Sequence, residues 1–435
     1  MQALTIDTDS KGKAPTLVRS GGLFRLPIEF ATVSALLLVF FNLAPPLSGA
    51  GARRLATIFL LLAGVMVALF LANKRIRVRS FPTIIFALYL AYIVTNIFVN
   101  GLFTGLSPFT LRDFAEVVRV LGLVIFFICG AALGYRTTDK GLTIYFVLIS
   151  TILGVLIAEW LWFGGRSGVL SSFYADREGR FSGLMASVNY SWVPFVLTVG
   201  LFVVGRTLHY SGKWWGYCAV LTTGFALVLS ASRTGLIAAL ILLVALAAGL
   251  RLSYTRRGGV KTLIRLILLT AVGVGTLYLY SPEQLGRAFR AYAELGDAIA
   301  VGALTEVASF QMRLGVWADV WAEVQERPFF GYGPNKSGVT ITDNTYLMTL
   351  YRYGMTGLLL EFGVYFGFLA MCVKRLKHEV VMVTPITYLA CFLAAGTTSS
   401  VFYELKTPYL LTLLLGAAVR NDPPSQRRTV ASPDA

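Results

Sequence analysis

The sequence predicts an all-α, polytopic integral membrane protein with about twelve transmembrane helices and one long, partly helical periplasmic loop. Three observations predict it. The 435 residues are 56% hydrophobic and only 14% charged, with a mean hydropathy of +0.70, far from the balance of a soluble domain of this length. Apolar runs such as ATVSALLLVFFNLA and LATIFLLLAGVMVALFLAN are each long enough to cross the roughly 30 Å hydrocarbon layer. Basic residues collect in alternate connecting segments, which is the mark of a chain threaded back and forth through a bilayer.

The spans fall near 27–44, 55–73, 82–100, 117–134, 142–164, 189–205, 216–231, 235–250, 262–280, 346–372, 380–397 and 405–419. They make one transmembrane domain over 27–419, between a cytoplasmic segment at 1–26 and a disordered cytoplasmic tail at 420–435. The first twenty residues are polar and lack an apolar core, so the first span is expected to act as its own insertion signal. KRIRVR (74–79), YRTTDK (135–140), RTLHYSGK (206–213), RLSYTRRGGVK (251–261) and KRLK (374–377) share one set of loops with both termini. That set is expected in the cytoplasm. The net charge of +16 is then mostly a topology signal, and nucleic acid is not an expected partner.

The opposite face carries two larger loops, 165–188 and 281–344. In the long one, Ser281 and Pro282 suit a helix start, and apolar spacing predicts a second helix over 303–326. Pro328, Gly331, Gly333 and Pro334 end that helix in a tight turn. This face is rich in arginine, including Arg112, Arg119, Arg177, Arg180, Arg233, Arg313 and Arg327, where the charge rule predicts few cations. Arginine presents paired donors to phosphate or carboxylate, whereas lysine is a point charge. A phosphate-bearing substrate handled on this face accounts for the excess. Ion pairs with Glu116, Asp176 and Glu178 account for part of it equally well.

Individual positions carry two readings each. Arg233, in SASRTG between two apolar runs, is an ionisable group at membrane depth and therefore a candidate site residue, with Ser232 beside it; a tight turn with a snorkelling arginine is the alternative. Arg313, Trp317 and Trp321 recur at helical spacing on one face, fit either for a sugar substrate or for a helix lying on the bilayer. Asp343 is either a general base or the N-cap of the helix beginning at Thr345. Arg352 lies one to two turns into that helix, within reach of the surface, while Glu361 reads as buried and structural. Cys129, Cys218, Cys372 and Cys391 all fall in predicted spans, and His209 and His378 in cytoplasmic loops, so no metal site and no cofactor are expected.

With RFSGLMASVN before a span, SASRTGL at a span junction, and PFFGYGPN, DNTYL and YG in order around the long loop, the chain resembles the O-antigen ligase and O-antigen polymerase superfamily of bacterial polysaccharide assembly. The resemblance implies an integral membrane glycosyltransferase that uses undecaprenyl-diphosphate-linked glycans. Polymerases of the family join repeat units on the lipid carrier, and ligases move finished glycan to lipid A core. Ligases typically carry a histidine before the asparagine of the long-loop motif, where this chain has Asp343, so the resemblance leans to a polymerase of exopolysaccharide, capsule or O-antigen. The alternatives are an O-antigen ligase and a lipid-glycan flippase or transporter. Asp343, Arg233 and Arg313 are the expected catalytic residues, with Arg180, Asn189, Ser232, Trp317, Asn344, Tyr346 and Arg352 binding substrate. The expected partners are the lipid-linked oligosaccharide, the bilayer and a chain-length regulator.

Overall fold

The computed structural model describes residues 81–103, 111–133, 135–163, 282–302, 308–334, 343–376, 382–399, 401–403 and 406–419, together with Phe181, Gly200 and scattered positions between 222 and 279. These residues are helical almost throughout. In chain order the helices are α1 (Phe81–Phe103), α2 (Leu111–Leu133), α3 (Tyr135–Trp162), α4 (Pro282–Val301), α5 (Ala308–Glu326), α6 (Thr345–Leu376), α7 (Val383–Gly396) and α8 (Lys406–Val419), with a 3-10 turn at Val401–Tyr403 between the last two.

Two described segments, Phe81–Asn100 and Thr345–Leu376, are long and apolar enough to cross a membrane. Helices α7 and α8 coincide with predicted spans but have 14 residues each, short of the roughly 20 that a straight crossing takes. The spans predicted at 27–44, 55–73, 189–205 and 235–250 lie outside the described residues or nearly so. The described residues bear out an all-α fold with apolar helices of membrane-crossing length, and two of the twelve expected crossings are seen among them at full length.

Apolar residues at helical spacing build the core. Phe86, Tyr89, Leu90, Ile93 and Ile97 form the buried face of α1, while Phe81, Ile84, Leu88 and Phe98 point outward. An apolar outer face of this kind is what a lipid-facing helix presents. Helix α1 packs chiefly on α6, and α2 on α8. The α2–α8 crossing is set by small residues. A Cβ at Gly130 would overlap the Leu413 carbonyl, and one at Gly416 would overlap the Phe127 carbonyl. Close backbone approach through glycine is the usual way two helices gain packing in lipid, where apolar burial alone separates no partner from solvent. Beside the crossing, the Phe126 and Tyr409 rings stack at 5.0 Å and 5°.

Contacts at the helix ends fix their relative direction. Asn100 near the end of α1, Arg119 near the start of α2, Asn344 before α6 and Thr397 after α7 all meet at one end of the bundle. At the other end Pro82 approaches Gly367, and Arg375 donates to the Ala418 carbonyl. Helices α1 and α6 thus run in opposite directions, whereas α2 and α8 run in the same direction, Gly122 meeting Tyr409 and Gly130 meeting Leu413 and Ala417.

Helix α6 is broken. Gly354 has φ 66° and ψ −171°, outside helical geometry, so Thr345–Tyr353 and Met355–Leu376 form two limbs. An apolar run from 346 to 372 reads as one continuous span; the glycine that interrupts it is recruited to a tertiary contact described next.

Candidate functional site

The turn that follows α5 fills the break in α6. Tyr332 and Gly333 donate their N–H groups to the Tyr351 and Arg352 carbonyls, at 2.9 and 2.8 Å. In return Met355 and Thr356 donate to the Pro328 and Phe329 carbonyls, at 2.7 and 3.3 Å. Backbone groups that the break releases are thereby satisfied by protein, as irregular backbone at membrane depth must be. Gly331 and Gly333 take positive φ of 66° and 85°, which glycine adopts at little cost. Pro328 and the two glycines of PFFGYGPN, read from sequence only as a helix stop, thus form a plug that completes a membrane helix.

Helix α1 anchors the same turn. Asn96 Nδ2 donates to the Phe330 carbonyl at 2.7 Å, Asn100 Nδ2 donates to Asn96 Oδ1 at 2.9 Å, and Tyr92 Oη donates to the Tyr353 carbonyl at 2.7 Å. Helix α5 closes the other side. Val320 and Val324 are buried with Tyr332, Met348, Leu350 and Tyr351 in one small cluster. The Tyr332 ring stacks on Tyr351 at 5.2 Å, with Arg327 over the ring at 4.9 Å. Its hydroxyl donates to Glu326 Oε2 at 2.8 Å, and burial together with that carboxylate holds it protonated, above the ordinary tyrosine range.

At the edge of this platform, Arg313 of α5 meets Asp343, with Nε to Oδ2 at 3.6 Å; the side chains are 29% and 60% exposed. A half-open pair of this kind is worth little to stability and is free to exchange partners. Trp317, one turn on, is half-buried, and Trp321 is exposed. The stripe that docks on α6 is Val320 and Val324, so Trp321 faces away from the helix it follows.

The helix cap is Asn344, not Asp343. Asn344 Oδ1 accepts the N–H groups of Tyr346 and Leu347, both at 3.0 Å, and its Nδ2 donates to the Thr397 carbonyl at 3.2 Å. Tyr346 Oη donates to the Leu393 carbonyl at 2.6 Å, and Thr345 Oγ1 to that of Ser399 at 2.8 Å. Asn344 and Tyr346 therefore tie the start of α6 to the end of α7, while the neighbouring Asp343 stays turned to Arg313.

Arg352 sits two residues before the break and is half-buried. Its guanidinium carbon lies 4.3 Å from the centre of the Tyr403 ring, and it makes no salt bridge among the described residues. Below it runs a polar tier that sequence reading treated as a loop ion pair. Glu116 and Arg119 lie inside α2, 8% and 3% exposed. Arg119 donates from Nε to Glu116 Oε2 at 2.9 Å and from Nη2 to Oε1 at 2.5 Å. Its Nη1 donates to the Phe402 carbonyl at 3.2 Å, and Tyr353 Oη donates to Glu116 Oε1 at 2.7 Å. The only sequence signal for the pair was its i, i+3 spacing. Glu361, in the second limb of α6, is fully buried and accepts from Tyr365 Oη at 2.7 Å.

The structure thus brings Arg313 to Asp343, next to Asn344 and Tyr346 at the start of α6, while Arg352 lies further along the same limb, over Tyr403. Arg180, Asn189, Ser232 and Arg233 lie outside the described residues.

Residues 218–362, a third of the chain, match the family model Wzy_C, described as O-Antigen ligase. The match spans Arg233, the α5 helix, the plug, Asp343 and both limbs of α6 as far as Phe362. No curated protein matches the chain.

Proposed function

We propose, from the place that residues 218–362 give this chain in the O-antigen ligase and polymerase superfamily, that it is a polysaccharide polymerase of the bacterial inner membrane. A glycan-transfer function in a membrane is what the family carries; the polymerase reading, the carrier and the residue roles are our own. The polymerase moves glycan from an undecaprenyl-diphosphate carrier to a sugar hydroxyl on the periplasmic side, extending exopolysaccharide, capsule or O-antigen.

The observation that carries the reading is the Arg313–Asp343 pair at 3.6 Å, half open to solvent. The donor is already activated, so the protein has two tasks: to stabilise the departing diphosphate and to take the acceptor's proton. In the proposed step the bond between the sugar C1 and the diphosphate oxygen breaks, and its electron pair leaves on the diphosphate. A bond forms between C1 and the acceptor oxygen, and the hydroxyl proton passes to the Asp343 carboxylate. Arg313 is drawn from Asp343 to the diphosphate, which frees the carboxylate to accept the hydroxyl's proton. Arg233, with Arg180 and Arg352, adds charge-assisted hydrogen bonds to the leaving group, and such preorganised donors normally supply the largest catalytic contribution. Asn189, Ser232 and Trp317 belong to the acceptor and sugar contacts, and Asn344 and Tyr346 hold the Asp343 segment in register. A chain-length regulator is the protein partner this reaction calls for.

Asp343 in place of the histidine typical of ligases favours the polymerase over the O-antigen ligase. Deletion of the gene tests it. Single repeat units left on the carrier or core bear out the polymerase; long chains stranded on the lipid carrier would convert the reading to the ligase. Transport of lipid-linked glycan with no glycosidic bond formed would replace both with a flippase.

A further inference from the structure

Tyr403 is the point where two guanidinium groups and three chain segments converge. It stands in the 3-10 turn between α7 and α8, far in sequence from any motif that pointed to a site. Arg352 lies on its ring at 4.3 Å and Arg119 at 5.4 Å. Its hydroxyl is 2.9 Å from Thr349 Oγ1, which itself donates to the Thr345 carbonyl at 3.0 Å. Phe402 next to it stacks edge-on at 5.6 Å and takes the Arg119 Nη1 hydrogen bond on its carbonyl.

The two arginines differ in kind. Arg119 is buried and spends its donors on Glu116 and on the Phe402 carbonyl. Arg352 is half-buried, has no salt bridge among the described residues, and rests on the aromatic face. A guanidinium held over an aromatic ring makes a contact that uses none of its N–H donors, so these remain available for a planar or tetrahedral oxyanion while the ring restricts its movement. The Glu116–Arg119 pair fixes both neighbours of that arrangement: the turn through the Phe402 carbonyl, and α6 through the Tyr353 hydroxyl. Tyr353 is the residue immediately after Arg352.

We propose that Tyr403 is a positioning residue that holds Arg352 against the diphosphate of the lipid carrier, with the buried Glu116–Arg119 pair locking Tyr403 in place. The inference rests on the proposed role of Arg352 in diphosphate binding and extends it to residues that touch no substrate. It needs no particular acceptor and holds equally for a polymerase or a ligase.

The test is binding of undecaprenyl diphosphate to the purified full-length protein in detergent, with glycan transfer measured alongside. Loss of the ring in Tyr403→Leu is expected to weaken binding about five- to twentyfold, the range a partly desolvated cation–π contact spans. Arg352→Gln is expected to weaken it at least as much. In the double variant the Tyr403 change adds nothing further, because its effect passes through Arg352. Tyr403→Phe keeps the ring and is expected to restore binding to within about threefold of the parent. Thermal midpoints in the same detergent separate misfolding from mispositioning, and the phenylalanine variant decides if the leucine variant fails to fold. Tyr403→Leu binding as the parent does, additive effects in the double variant, or no recovery with phenylalanine would each overturn the inference. Parent protein that binds undecaprenyl diphosphate but adds glycan to lipid A core would alter the polymerase reading alone. Parent protein that does not bind it at all would remove both.

Discussion

Gly331 and Gly354 lie backbone to backbone where the turn after α5 crosses the break in α6. A Cβ built on Gly331 would stand 2.6 Å from the Arg352 carbonyl carbon, and one on Gly354 would overlap the Phe329 carbonyl. Four main-chain hydrogen bonds, two in each direction, run through this crossing. The loop and the membrane helix are therefore one structural unit, and the position of Arg352 depends on the turn as much as on its own helix.

Substitution of either glycine tests that dependence. Both need positive φ, at a cost of about 1 kcal/mol or more for any other residue, and both lack room for a side chain. Gly354→Ala and Gly331→Ala are expected to lower the thermal midpoint and to suppress glycan transfer. Gly286→Ala in α4 is the control. Nothing lies within 4 Å of a Cβ there, and alanine in a helix interior gains about 0.5–1 kcal/mol over glycine. A Gly354→Ala protein with unchanged midpoint and activity would show that the break is not required.

Exchange of the Arg313 and Asp343 charges separates chemistry from structure. Arg313→Ala and Asp343→Ala are each expected to reduce transfer at least about 100-fold, while moving stability by no more than about 1 kcal/mol, because the pair is half exposed. The double exchange Arg313→Asp with Asp343→Arg rebuilds an ion pair with its ends reversed. Transfer is expected to stay lost, since the cation then stands where the base should be. Recovery of activity in the exchanged protein would reduce the pair to a structural contact. Arg313→Lys is expected to be impaired as well, since lysine cannot offer paired donors.

Asn344 and Asp343 are adjacent, and their substitutions should report different things. Asn344→Ala removes two capping bonds and the tie to Thr397; loss of an N-cap costs about 1 kcal/mol. Asn344→Asp keeps the cap but not the donor to the Thr397 carbonyl, and is expected to recover only the capping part of that loss in midpoint. Asp343→Asn leaves the cap untouched and is expected to remove transfer with little change in midpoint. A large fall in midpoint for Asp343→Asn would point to a structural role for that carboxylate.

Local chemistry made several of these features readable in the sequence, and tertiary contact hid the others. Ser281–Pro282 and Pro328 mark helix limits by rules that act within one turn, and α4 begins at Pro282 and α5 ends just before Arg327 as read. Arg313 and Asp343 were legible as charged groups at a membrane edge, and the structure brings them into contact. Which of Asp343 and Asn344 caps α6 was not legible, because both residue types cap well and only the backbone register chooses. The break at Gly354 was hidden inside an apolar run, since its partners, Pro328 to Gly333, come from a segment that the local pattern cannot connect to it. Tyr403 was silent for the same reason. A lone tyrosine in a short turn acquires meaning only when Arg119 and Arg352 arrive from two other helices.

The Glu116–Arg119 pair gives the clearest stability prediction. Both groups are nearly inaccessible, and each is hydrogen-bonded beyond the other, to Tyr353 and to Phe402. Removing one partner strands the other charge away from water, which costs about 3–5 kcal/mol, whereas removing both costs much less. Glu116→Gln and Arg119→Met are therefore each expected to lower the thermal midpoint strongly, and the double variant is expected to stand above either single one. Because Arg119 also holds the turn that carries Tyr403, the double variant should still bind undecaprenyl diphosphate more weakly than the parent even where its midpoint recovers. Midpoint and binding measured on the same four proteins decide the point: strictly additive losses in midpoint would mean that the two charges do not depend on each other, and full recovery of binding in the double variant would mean that the pair plays no part in holding Tyr403.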